Sequence, residues 1–120
     1  MDTITYVVGN KDLKMSAGKA MAQVAHAIMT AATYEDIDNY FQAKQRTIIV
    51  LEGSGQQILA LYDYLKQRDV SSDYVVDEGV NEIPTMSVTA LATEAFDIED
   101  RDTRDMFSGF DLYKHGMFQR

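Results

Sequence analysis

Residues 3–33, TITYVVGNKDLKMSAGKAMAQVAHAIMTAAT, predict a strand, a polar loop and a helix in succession. The β-branched and aromatic run Thr3–Gly9 is typical of a strand, and Ser16 is a suitable N-cap for a helix that runs to about Thr33. The helix carries apolar residues at the i, i+3, i+4 spacing of a buried stripe: Met21, Val24, Ala25, Ile28, Met29 and Ala32. We therefore expect this stripe to face the core.

The rest of the chain continues this alternation of strands and helices. A short helix over Tyr34–Ala43 precedes apolar runs that predict strands at Thr47–Leu51, Tyr74–Val76 and Ser87–Ala92. Ser54 and Gln57 have the spacing of a capping box, and the helix that they open is expected to bury Ile58, Leu61, Tyr62 and Leu65. The acidic segment from about Ala95 to Phe107 is interpreted as a last helix.

This element order predicts an α/β fold. We expect a single domain over residues 1–120, built as a four-stranded mixed β-sheet with helices packed on both faces, and a peripheral tail at residues 115–120. Side chains that follow strand ends in such sheets meet at one edge. The loop after Gly9, the segment at Asp77 and the end of the fourth strand are therefore the places to look for a site.

Composition and charge narrow the classes of function. The chain has 120 residues and no cysteine, which excludes disulfides, thiolate nucleophiles and cysteine-bound zinc. It has neither an apolar run of the roughly 20 residues that span a bilayer nor a signal-peptide pattern, so we expect a cytoplasmic protein without a membrane partner. A net charge of −8 disfavours nucleic acid, although the first third of the chain carries Lys11, Lys14 and Lys19. Those lysines are equally compatible with an ordinary solvated surface.

The junction Gly18-Lys19 is the first candidate site. The P-loop motif needs four residues between its glycines and a Ser or Thr after its lysine. Here Gly9 lies too far from Gly18 and Ala20 follows Lys19, so nucleoside triphosphate binding is rejected. Free N–H groups at a helix start still attract anions. Lys19, Gln23 and His26 have the spacing of one helix face, predicted to lie opposite the apolar stripe. His26 also fits a half-buried structural role, and the two histidines give no metal-binding pattern.

The strand-end segment Asp77–Pro84, followed by Thr89, is the second candidate site. An acidic residue beside a glycine often serves only to form a turn, so the segment alone does not establish catalysis.

Two blocks of sequence resemble the archaeal and eukaryotic-type family of peptidyl-tRNA hydrolases. DLKMSAGKAMAQVAHA, residues 12–27, is similar to the family pattern Asp-Leu-x-Met-x-x-Gly-Lys followed by Ala-Gln-x-Ala-His-Ala. DEGVNEIPTMSVTAL, residues 77–91, is similar to the family's second block, and FSGFDLYK, residues 107–114, resembles its closing strand or turn. The second block departs from the pattern at Glu78, Asn81 and Met86, and Glu94-Ala95 replaces an expected Gly-Pro.

The resemblance implies an enzyme, often a homodimer, that uses water to hydrolyse the ester between a peptide and the tRNA 3′ ribose. It implies catalytic roles for Lys19, Asp77 and Thr89. Asn81 stands where the family has a threonine and can still hydrogen-bond, so we expect it in the catalytic set as well. The expected mechanism requires no metal or other cofactor. The residues expected to bind the tRNA substrate are Asp12, Lys14, Met15, Gly18, Gln23, His26 and Gly79. Because a cation beside a carboxylate lowers its pKa, we expect Asp77 to orient water rather than to remove its proton completely.

Two other readings of the same residues remain open. One is a non-catalytic tRNA- or RNA-binding module on the same fold, which the changes at Glu78, Asn81 and Met86 favour. The other is a hydrolase that acts on a different acyl ester. Release of an N-blocked amino acid from tRNA separates the three.

Overall fold

The computed structural model describes residues 2–77 and 87–114, apart from the side chains of Tyr34 and Glu35. The predicted tail at residues 115–120 and the candidates Gly79 and Asn81 lie outside these residues. The elements, in chain order, are β1 (Thr3–Asn10), a 3-10 turn (Lys11–Leu13), α1 (Ala17–Ala31), α2 (Tyr34–Gln42), β2 (Arg46–Gly53), α3 (Gly55–Gln67), β3 (Ser72–Asp77), β4 (Ser87–Thr93), β5 (Phe96–Asp97), α4 (Arg101–Asp105) and β6 (Asp111–Leu112).

The described strands form one mixed sheet with the order β3-β4-β1-β2-β6, and β5 pairs with β1 beside the end of β4. β1 and β2 are parallel from Thr3 opposite Arg46 to Asn10 opposite Gly53, whereas the other pairs are antiparallel. The α/β class and the mixed sheet are therefore confirmed. The expected number of four strands is wrong, because β5 and β6 are two-residue strands whose only signal is their pairing with a longer neighbour.

Helices lie on both faces of the sheet, as predicted. β1 is buried throughout, and its side chains alternate between two apolar clusters. Ile4, Tyr6 and Val8 pack with Ile58, Leu61 and Leu65 of α3 on one face, while Val7 packs with Ala27 and Ala31 of α1 on the other. The Ser54–Gln57 capping box is also confirmed, with both of its hydrogen bonds present.

The predicted buried stripe of α1 is wrong. The fully buried residues are Ala20, Gln23, Ala27 and Ala31, whereas Met21 and Met29 are 57% and 78% exposed. Val24 and Ile28 are partly buried at the margin of this cluster. Small side chains let the helix lie close against β3 and β4, so the row of alanines determines which face turns inward. The accompanying prediction for Gln23 is wrong too, because Gln23 points to the sheet and His26 points to solvent.

The predicted helix from Ala95 to Phe107 is also wrong over most of its length. Phe96 lies in β5 and stacks near the ring of Tyr6, and only Arg101–Asp105 are helical, capped by the side chain of Asp100. Alternating burial of Phe96 and Ile98 against the core favours an extended backbone at this position.

The closing segment, residues 107–114, passes around the β2 edge of the sheet. Phe110 contacts Gly53 beside α3, and β6 then leads to Tyr113, whose ring lies against Gly9 beneath the start of α1. A Cβ atom on Gly9 would lie 2.6 Å from that ring. Glycine at position 9 is therefore what allows the tyrosine to pack here.

Candidate active site

Three elements deliver polar side chains to the same edge of the sheet, on the α1 face. Ser16 caps α1, and its Oγ accepts a hydrogen bond from the backbone N–H of Lys19 at 3.3 Å. This cap fixes the first turn, so that Lys19 and Gln23 extend toward the strands. Asp77 ends β3, and Thr89 lies in the neighbouring strand β4.

The four side chains form a continuous series of polar contacts. Lys19 Nζ lies 2.6 Å from Asp77 Oδ2, and Gln23 Nε2 donates to the same oxygen at 3.3 Å. The Thr89 hydroxyl donates to Gln23 Oε1 at 2.6 Å, and the carbonyl of Val75 lies 3.3 Å away as an alternative acceptor. Gln23 therefore links the ion pair to the threonine.

Burial strengthens this arrangement. Gln23 is 5% exposed and Thr89 is fully buried, while the side chains of Lys19 and Asp77 are each about one-sixth exposed or less. The amide of Gln23 uses its donor for the carboxylate and its acceptor for the hydroxyl, which leaves one orientation of the group favoured. The series thus presents a partly exposed Lys–Asp pair on a fixed, buried polar base, an arrangement able to orient a water molecule and an ester.

The loop before α1 is held by the predicted substrate-binding residues themselves. Asp12 Oδ2 accepts from the N–H of Gly55 at the start of α3, at 3.0 Å. Met15 is buried beside Ala20 and Tyr113. Both residues therefore serve the structure of the loop. Lys14 is exposed with a left-handed backbone (φ 49°), and nothing lies within 4 Å of the position that a Cβ on Gly18 would take.

The structure thus brings together Lys19, Gln23, Asp77 and Thr89, and it leaves His26 apart on the outer side of α1. Asn10 is a residue that the sequence did not single out. It is buried, and its side chain accepts from the N–H of Asp12 and donates to the carbonyl of Val88. The only sequence signal for it is the Asn-x-Asp spacing of an Asx turn directly after a strand.

Tyr113 was also not foreseen. Its hydroxyl is buried and has no hydrogen-bond partner among the residues that the structure describes. Burial, together with the nearby carboxylate of Glu52, raises the pKa of this hydroxyl above its ordinary value of 10.0. Glu52 in turn accepts a hydrogen bond from the backbone N–H of Lys114 at 2.8 Å.

Comparison with known proteins relates this chain to one family. The family model described as peptidyl-tRNA hydrolase PTH2 matches residues 3–104. The chain belongs to this family. Its relatives named peptidyl-tRNA hydrolase include one from Staphylothermus marinus, 32% identical over 91 residues, which cover 71% of this chain and 75% of the relative. Another, from Methanopyrus kandleri, is 30% identical over 107 residues, or 83% of this chain and 92% of the relative.

The part of the chain that matches the PTH2 family includes all four side chains of the polar series and Asn10. It ends before the closing segment that carries Phe110 and Tyr113. Within residues 2–77 and 87–114, no three His, Asp or Glu side chains are grouped to hold a metal ion. No helix in the same ranges is long and apolar enough to cross a membrane.

Proposed function

We propose that this chain hydrolyses the ester that joins a peptide, or an N-blocked amino acid, to the 3′ ribose of tRNA. The observation that carries the proposal is the series Lys19–Asp77–Gln23–Thr89 at the strand ends of a PTH2 family member. A peptidyl-tRNA substrate belongs to translation, so we also propose that the protein acts in the cytoplasm.

The proposed reaction is a direct attack by water. Asp77 orients a water molecule toward the ester carbonyl, the water oxygen bonds to that carbon, and the bond to the ribose 3′ oxygen breaks. One proton of the water passes to the 3′ oxygen, so that the products are a carboxylic acid and intact tRNA. Lys19 offsets the negative charge that develops in the tetrahedral intermediate.

The remaining candidates have supporting roles in this proposal. Thr89 and Gln23 hold Asp77 in place, and Asn81 hydrogen-bonds the water or the ester. Lys14 and Gly18 border the substrate, where the open space beside Gly18 admits the acceptor end of the tRNA. Gly79 is kept as a proposed substrate-binding residue on the resemblance alone. No step calls for a metal ion or another cofactor.

The first test is release of the amino acid from N-acetyl-aminoacyl-tRNA by the purified protein. We expect Asp77→Asn and Lys19→Ala each to lower kcat by about a hundredfold or more, a loss of the size seen when one transition-state contact is removed. Circular dichroism and melting temperature check that the fold is kept. The matched controls Asp102→Asn and Lys66→Ala change exposed residues of α4 and α3 and are expected to retain full activity.

The assay separates the proposed hydrolase from the two alternative functions. Full activity in Asp77→Asn or Lys19→Ala would remove that residue from the catalytic set. A wild-type protein that binds tRNA without releasing the amino acid would be a binding module. Esterase activity without affinity for tRNA would indicate a different acyl substrate.

We also propose that the chain forms a homodimer through an apolar groove of about 220 Å³ between α2, the end of α1 and β2. Ile37, Phe41 and Ile48 are exposed in or beside it, although large apolar side chains favour burial. Arg46 lies beside the groove, where its guanidinium donates to the carbonyl of Phe41 at 2.8 Å and lies over the rings of Tyr40 and Phe41. A two-fold axis would bring this apolar surface of one copy against the same surface of the other.

Sedimentation velocity tests the proposed homodimer. We expect the wild-type chain to sediment at twice its 13.5 kDa mass and Phe41→Asp to sediment as a monomer. Leu59→Asp, a matched change on the exposed side of α3, is expected to remain dimeric. A monomeric wild-type chain would contradict the proposal without affecting the hydrolase assay.

A further inference from the structure

Asn10 is a buried polar residue outside the proposed reaction. It is the last residue of β1 and is 4% exposed. Its Nδ2 donates to the carbonyl of Val88 at 2.8 Å, and its Oδ1 accepts from the N–H of Asp12 at 2.9 Å. One side chain therefore joins the start of β4 to the 3-10 turn after β1.

Both ends of this connection lead to the polar series. Val88 directly precedes Thr89, whose hydroxyl contacts Gln23. The 3-10 turn leads through Lys14 and Met15 to Ser16, the cap that fixes the turn carrying Lys19. The carboxylate of Asp12 extends the connection to the N–H of Gly55 on α3.

Asn10 lies on the opposite face of the sheet from the site that it connects. Side chains of a strand alternate between faces, and Asn10 shares the parity of Tyr6 and Val8, which pack against α3. Gly55 confirms this position, since a Cβ there would lie 3.1 Å from Asn10 Nδ2. Thr89, in contrast, meets Gln23 of α1. Asn10 therefore influences the site through the backbone groups of Val88 and Asp12 to which it is hydrogen-bonded.

We propose that Asn10 is a positioning residue that fixes the Lys19 junction relative to Thr89 and Asp77. The inference rests on the proposed hydrolase function. Asn10 hydrogen-bonds one residue in each of the two sequence blocks, residues 12–27 and 77–91, but lies in neither block itself. A displacement of about 1 Å in such a frame is enough to lower a rate by about a hundredfold.

Two variants separate positioning from stability. Asn10→Asp keeps the size and the acceptor for Asp12 N–H, but it loses the donor to Val88 and places two oxygens together. Gly55→Ala leaves every hydrogen-bonding group in place and presses a methyl group on Asn10. Because alanine has a higher helix propensity than glycine, Gly55→Ala is expected to keep or raise the melting temperature.

The matched control is Thr103→Val. It removes a different buried hydrogen bond, the one that the Thr103 hydroxyl donates to Asp100 at 2.7 Å at the start of α4, away from the site. We expect Asn10→Asp to lower kcat about ten- to hundredfold with KM within twofold, and Gly55→Ala to lower it about two- to fivefold without loss of stability. Thr103→Val is expected to lower the melting temperature with kcat unchanged, when all are assayed well below unfolding.

Wild-type kcat in both Asn10→Asp and Gly55→Ala would overturn the inference while leaving the hydrolase assignment intact. If the wild-type chain itself releases no amino acid, amide hydrogen exchange still tests the connection. We expect Asn10→Asp, or Asn10→Ala should the aspartate fail to fold, to raise exchange in residues 11–16 and 87–90 together. Faster exchange in only one of these segments would overturn the proposal, whatever the activity.

Discussion

Gln23 shows how a single buried residue holds the candidate site together. Its amide is buried between a carboxylate and a hydroxyl. The NH2 group donates to the carboxylate of Asp77, and the amide oxygen accepts from the hydroxyl of Thr89. An amide is neutral, so it holds the carboxylate of Asp77 without competing with Lys19 for its charge. A buried amide with both functions satisfied also resists rotation, because any other orientation leaves polar groups unpaired.

Replacement of Gln23 tests this role. Gln23→Leu removes both hydrogen bonds at nearly constant size. We expect kcat to fall by about ten- to hundredfold and the free energy of unfolding to fall by about 1–3 kcal/mol. Gln23→Glu keeps an acceptor for Thr89 but faces Asp77 with a second carboxylate, so its loss is expected to be larger at neutral pH. Steady-state release from N-acetyl-aminoacyl-tRNA measures both.

Gln56→Leu is the control for these variants, since Gln56 is an exposed residue of α3. Its kcat is expected to match that of the wild type. An unchanged kcat in Gln23→Leu would show that the link between Asp77 and Thr89 is dispensable.

At the scale of elements, α1 places the cationic half of the site. Its alanine face packs against β3 and β4, the two strands that carry Asp77 and Thr89. Its N-terminus is anchored by Ser16, and the buried Met15 and Tyr113 support it from below. Unwinding of the first turn of α1 would therefore displace Lys19 directly.

Removal of helix caps tests this dependence. Ser16→Ala removes the cap of α1, and Thr33→Ala removes half of the capping box of α2. Each is expected to cost about 1 kcal/mol of unfolding free energy, measured in urea. Only Ser16→Ala is expected to lower kcat/KM, by roughly three- to tenfold, because fraying there displaces Lys19. An equal effect of both variants on kcat/KM would contradict this local role of the cap.

At the scale of the whole molecule, charge is distributed unevenly. The chain carries a net charge of −8, yet the 3-10 turn and the first turn of α1, beside the site, carry Lys11, Lys14 and Lys19. Acidic residues are dense over residues 94–105, which lead away from this edge. Such a surface attracts few phosphates and repels the rest of a polyanion, so we expect contact with the acceptor end of tRNA alone.

The salt dependence of tRNA binding measures the size of this contact. With about three phosphates neutralised on a single-stranded end, the slope of log K against log salt concentration is expected to be roughly −2. Lys14→Ala is expected to make the slope shallower by about 1, whereas Lys44→Ala, a change at the opposite end of the sheet, leaves it unchanged. A slope steeper than about −4 would show that a much larger tRNA surface is bound.

Much of the frame was predictable from local patterns. The strands at Thr3, Thr47, Tyr74 and Ser87 and the helices after Ser16 and Ser54 lie where their apolar runs and caps indicate, each longer or shorter by a few residues. The resemblance to the family predicted Lys19, Asp77 and Thr89 as site residues. β5 and β6 were not predicted, because a two-residue strand has no period of its own and exists only by pairing with β1 or β2.

The sequence by itself determined the α/β class, the order of the main elements and the residue types of the polar series, since these depend on short-range spacing and caps. Only the tertiary structure decided which face of α1 is buried. Hydrophobicity favours the methionine row, but close packing on β3 and β4 favours alanines and brings Gln23 inward. It likewise decided that Asp12 and Met15 hold the loop and that Asn10 joins two strands, because contacts between residues 43 to 78 positions apart leave no local pattern.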